Sequence, residues 1–92
     1  MTHSHSKRWQ NNMMKFYGIK DFNIKKGSEI VAVIQTKSHV DARWFYVNKL
    51  KDGETFIVDI SSHELDGMQA TKLHSGVEFH TFEGVNEYLN IA

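Results

Sequence analysis

The sequence predicts an α+β domain: a mostly antiparallel sheet of four to five strands, with one helix near the N-terminus and one near the C-terminus. Three observations predict it. The run Ile30-Val31-Ala32-Val33-Ile34 is unbroken and β-branched, as in a central strand covered on both faces. Asp52-Gly53 stands between two apolar runs, a strong short-range hairpin signal. Helical spacing of apolar residues is confined to 6–17 and 82–90.

Taken in order, residues 1–5 read as a flexible polar tail and 6–92 as one domain. From Ser6 to Tyr17, Trp9, Met13 and Phe16 make one apolar stripe, with Ser6 as N-cap and Gly18 as the stop. Met14–Phe16 also fits the start of a strand. Residues 18–24 read as a short strand or extended connection, and Lys25-Lys26-Gly27-Ser28 as a turn. Residues 29–37 are a strand. Ala42 to Leu50 reads as the next strand, turned at Asp52-Gly53 into a return strand over 54–60. A two-residue loop places Tyr46 opposite Asp59 and leaves Trp44 and Tyr46 on a mixed face. A bulged loop shifts that pairing by one residue. Ser61-Ser62-His63-Glu64 has capping-box spacing and predicts a short helical turn ending at Gly67. Met68 to His74 and Val77 to His80 read as strands. Thr81 caps a last helix over 82–90, with Gly84 inside it at a cost of about 1 kcal/mol relative to alanine.

Composition excludes several classes. The chain has 92 residues, 40% hydrophobic and 24% charged, which argues against wholesale disorder. No apolar run approaches the roughly 18 residues of a membrane helix, so no membrane is expected. With no cysteine there is neither a disulfide framework nor a thiolate zinc site. A cytoplasmic location is expected. The start is too polar for a secretory signal.

The formal charge is zero, but it is segregated. Residues 1–51 hold ten basic side chains and three acidic ones, and residues 52–92 hold one basic and eight acidic. The basic half also carries seven of the eleven aromatics. Lysines interleaved with aromatics suit a single-stranded nucleic acid, where charge tracks phosphate and rings stack on bases. This points to a non-catalytic module that binds nucleic acid or a host nucleoprotein complex through Lys7, Arg8, Lys15, Lys25, Lys26, Arg43 and Trp44, with Tyr46 as a stacking ring. Nine lysines against two arginines favour backbone contacts over base reading. The plainer reading is that strands from the two halves pair and neutralise each other locally.

The alternative is a protein-binding inhibitor or adaptor of the phage or mobile-element type, for instance an anti-CRISPR-like blocker of a host nucleoprotein complex. There the acidic half engages a partner's arginines through Glu54, Asp59, Glu64, Asp66, Glu83 and Glu87. A homodimer through an exposed hairpin edge is a further expectation.

Catalytic and metal signals are weaker than their plain alternatives. His39, Asp41 and Arg43 alternate at a strand start, where they could hold a phosphate or cleave RNA by acid–base chemistry, but an ion pair beside a turn is the better account of them. Ser62-His63-Glu64 are sequence neighbours, which do not make a triad. His74, Glu78 and His80 lack any metal-site spacing signature, and His3 and His5 lie on the tail. No enzyme activity, cofactor or metal is expected.

Overall fold

The computed structural model describes residues 14–24 and 29–84. Its elements are β1 (Lys15–Asp21), β2 (Ile30–Thr36), helix α1 (His39–Phe45) prolonged by a π-helical turn (Tyr46–Leu50), a 3-10 turn (Ile57–Asp59), β3 (Ile60–Leu65), α2 (Gly67–Leu73) and β4 (Glu78–Thr81). The sheet order is β3-β1-β2-β4. β1 runs antiparallel to both β2 and β3, whereas β2 and β4 are parallel, so the sheet is mixed.

β2 is central as its composition predicts. Ala32, Val33 and Ile34 are all fully enclosed. Successive strand residues face opposite sides, and each side has its own core. Ala32 and Ile34 pack with Tyr17, Ile19 and Ile60 under Ala42, Tyr46 and Val47 of the first helix. Val33 packs with Leu65 and Ala70 of α2. The sheet therefore carries one helix on each face.

Both helices arise where strands are expected from the sequence. Ser38 is extended and its hydroxyl accepts from Asp41 N at 3.1 Å, which caps α1. Ala42, Phe45, Tyr46 and Leu50 then form one helical stripe on the first core. Asp52-Gly53 ends this helix and makes no hairpin. Both residues take positive φ, 50° and 77°. Gly53 N bonds back to Val47 O at 2.8 Å and Lys51 N to Tyr46 O at 3.1 Å. A type I′ hairpin and a helix C-terminus both need left-handed residues, so the same dipeptide serves either. No return strand forms over 54–60.

The capping-box reading is displaced by five residues. Ser61 to Glu64 lie in β3. The box that exists is Asp66 with Gln69, each side chain bonded to the other's backbone N–H. Gly67 opens α2, which replaces the expected strand over 68–74. β4 matches the expected strand at 77–80 within two residues. At the expected N-terminal helix, Lys15 to Tyr17 belong to β1, Met14 is not helical, and 6–13 lie outside the described residues. At the expected C-terminal helix, Phe82–Gly84 are not helical and Gly84 has φ 128°, which a helix interior forbids. The remainder of that segment is likewise outside.

Strand order explains the charge segregation. The two strands of the basic half, β1 and β2, are central, and the two of the acidic half, β3 and β4, are the edges. Charges of opposite sign therefore become neighbours. Lys15 Nζ of β1 lies 3.4 Å from Glu64 Oε2 of β3. No helix among the described residues is long and apolar enough to cross a membrane.

Candidate functional site

Three surface features emerge. The first is an apolar end of the sheet. At the close of β1 the chain turns at Asp21, and an Asx arrangement fixes it: Asn23 N and Nδ2 donate to Asp21 Oδ1 at 2.9 and 3.1 Å. Asp21 is fully buried, and its other carboxylate oxygen accepts from Tyr46 Oη at 2.7 Å. Burial pushes the Asp21 carboxyl up. Bonds from Tyr46 and Asn23, with Lys51 nearby, outweigh burial and leave it below the ordinary 3.8. Burial, then the bond to Asp21, pushes the Tyr46 hydroxyl far above its usual value, so it remains a donor.

This turn carries Phe22 and Ile24 outward. Phe22 N bonds to Asp59 O and Asp59 N to Phe56 O, both at 2.9 Å, which brings the segment Phe56-Ile57-Val58 beside it. Phe22, Phe56 and Val58 are 57%, 74% and 85% exposed, and Ile24 and Ile57 are also exposed. Single exposed apolar residues such as Val40 and Met68 are ordinary, but a gathered set is not. Asp52, Glu54 and Asp59 flank it on the same segment.

The second feature is a polar cluster where α1 crosses β3. His39 and Arg43, one helical turn apart, both reach Ser62. His39 Nδ1 is 2.7 Å and Arg43 Nη1 2.9 Å from Ser62 Oγ. The Tyr17 ring meets the His39 ring edge-on at 4.6 Å. Asp41, which a strand would have placed beside them, instead accepts from Ser38 Oγ at 3.0 Å and lies against Gly84. Helical geometry selects i and i+4 and turns i+2 away.

The third is a groove of about 590 Å³ on the α2 side, lined by Lys20, Glu29, Ile30, Lys72, Leu73, Ser75, Gly76 and Val77.

The sequence-predicted residues are scattered over these features. Lys15 is held by Glu64 and Arg43 by Ser62. Trp44 stacks on Phe82, ring centroids 5.6 Å apart and planes 9° from parallel. Tyr46 is 4% exposed, so its ring belongs to the core and is not offered for stacking. Lys7, Arg8, Lys25 and Lys26 lie outside the described residues. His80 pairs with Glu78 at 3.0 Å, but the His74 ring meets Phe79 at a tilt, on the other side of β4. Among the described residues no three His, Cys, Asp or Glu side chains gather as a metal site. Sequence reasoning missed Phe22, Phe56 and Val58, because the expected return strand over 54–60 places Phe56 and Val58 in a hairpin. His39 with Ser62 was missed because 23 residues separate them.

The fold and these surfaces define a small α+β domain with a mixed sheet, an apolar end and a donor-rich polar cluster. No family model matches the chain, and neither a curated protein nor a solved structure matches it.

Proposed function

We propose that this chain is a non-catalytic, protein-binding module of the inhibitor or adaptor kind. The observation that supports it is the gathered exposure of Phe22, Phe56, Ile57 and Val58 at one end of the sheet. A small domain gains stability by burying such residues, so leaving them in water costs free energy that a partner recovers. The acidic flank of Asp52, Glu54 and Asp59 suits a partner presenting apolar side chains ringed by arginine or lysine. It disfavours a two-fold contact with a second copy, in which like charges would face each other.

The test is affinity capture from cells that naturally contain the protein, with nuclease and at raised salt, using the wild type beside Val58→Asp. The expected result is a protein that survives nuclease and salt and is lost with Val58→Asp. Capture of nucleic acid alone, or of the same protein by both chains, would overturn the reading.

A second reading is docking on nucleic acid or a nucleoprotein surface through Lys7, Arg8, Lys15, Lys25, Lys26, Arg43 and Trp44. The groove on the α2 side adds Lys20 and Lys72, beside Glu29, as further cations for such a surface. Its mark is affinity that falls steeply with salt and is unchanged by Val58→Asp.

A further inference from the structure

The geometry points to a phosphate-binding site formed by His39, Arg43 and Ser62, independent of the protein-binding reading. A guanidinium only donates, so at 2.9 Å Ser62 Oγ accepts from Arg43 Nη1. Ser62 Oγ also meets His39 Nδ1 at 2.7 Å, and Nε2 carries a proton either when Nδ1 accepts the Ser62 hydroxyl or when the ring is protonated. Each nitrogen edge not facing Ser62 is therefore a donor. Arg43 has no carboxylate within ion-pair distance among the described residues. Its bond to a neutral hydroxyl uses one of five N–H groups.

The surroundings keep this array in place. The edge-on Tyr17 ring sets the imidazole plane. His39 and Arg43 stand on one helix and Ser62 on a paired strand, so the three groups are positioned before a ligand arrives. Glu64 shares a face with Ser62 two residues along β3 and would repel an anion, but Lys15 lies 3.4 Å from its carboxylate. A tetrahedral oxyanion with several acceptor oxygens matches a guanidinium fork and an imidazole N–H, both anchored by Ser62, better than a single-acceptor ligand does. The phosphate is either a free phosphate ion or monoester, or the phosphodiester of a nucleic-acid strand.

The test is an NMR titration of the full chain, following the His39 ring signals. Inorganic phosphate is compared with chloride at equal ionic strength, and a single-stranded oligonucleotide without a terminal phosphate forms a third arm. Phosphate is expected to shift the His39 signals saturably, with chloride at least about tenfold weaker. Arg43→Gln should weaken phosphate by about tenfold or more, and Arg43→Lys, which keeps the charge but loses the fork, by less. The amide spectrum checks that each variant is folded. Saturation by the oligonucleotide as well assigns the site to a strand backbone, and saturation by phosphate alone to a free phosphate. Equal responses to phosphate and chloride, or a folded Arg43→Gln that binds phosphate like the wild type, would overturn the site.

Discussion

Tyr46 Oη donates a 2.7 Å hydrogen bond to Asp21 Oδ2, joining the π-helical end of the first helix to the last residue of β1. Asp21 also organises the turn bearing Phe22, so this buried bond ties the core to the apolar end. Removing the hydroxyl leaves a buried carboxylate short of a donor. Tyr46→Phe is expected to lower stability by about 1.5–3 kcal/mol, the range for bonds to charged groups. Urea unfolding measures it, with an unchanged slope showing that the folded state is intact.

Acid sensitivity follows from the same carboxylate. A carboxyl held below its unfolded value contributes stability that is complete above the ordinary 3.8 and is lost as pH falls through the folded value. The urea midpoint should be level above the carboxylate range and drop below it. In Tyr46→Phe the drop should be smaller, because one bond that holds the carboxyl down is gone. Parallel pH profiles for the two proteins would count against Asp21 as a source of acid sensitivity.

Gly84 separates the sequence expectation from the structure. Inside a helix, Gly84→Ala should stabilise by about 1 kcal/mol. At φ 128°, with Asp41 Oδ2 3.4 Å from the position of an added Cβ, alanine is strained. The expected outcome is destabilisation by about 1–3 kcal/mol, read from thermal or urea unfolding.

Surface substitutions at the apolar end should behave differently. Val58 is 85% exposed, so Val58→Asp should change stability by no more than about 0.5 kcal/mol. It should also reduce self-association at high concentration, since it breaks an exposed apolar set. Unfolding curves and light scattering check the two halves of this expectation.

Legibility in the sequence varied by element for physical reasons. β2 was readable because five β-branched or small apolar residues in a row suit only a doubly covered strand of that length. β4 was readable because Ser75-Gly76 turns the chain into Val77 to His80. The first helix was not, because Trp44-Phe45-Tyr46-Val47 favour strands by local propensity, and helix packing on the sheet overrides that preference. Asp52-Gly53 reinforced the error, since left-handed residues end helices as readily as they turn hairpins. Once the segment is helical, Arg43 and His39 share a face and Tyr46 turns inward. The candidate site changes with the secondary structure. Arg43 survives from the residues singled out by charge, and in a different setting. The apolar end was illegible because it depends on the pairing of β1 with β3, a contact between distant segments.

The central claim is that the apolar end is the working surface. Its most direct test is site-specific photo-crosslinking in cells that naturally contain the protein, with a benzoylphenylalanine photoprobe replacing Phe56 in one sample and Lys72 in another. The account predicts one discrete, nuclease-resistant protein adduct from the probe at position 56 and none from that at position 72. Adducts of equal yield from both positions, or a position-56 adduct that nuclease removes, would contradict it.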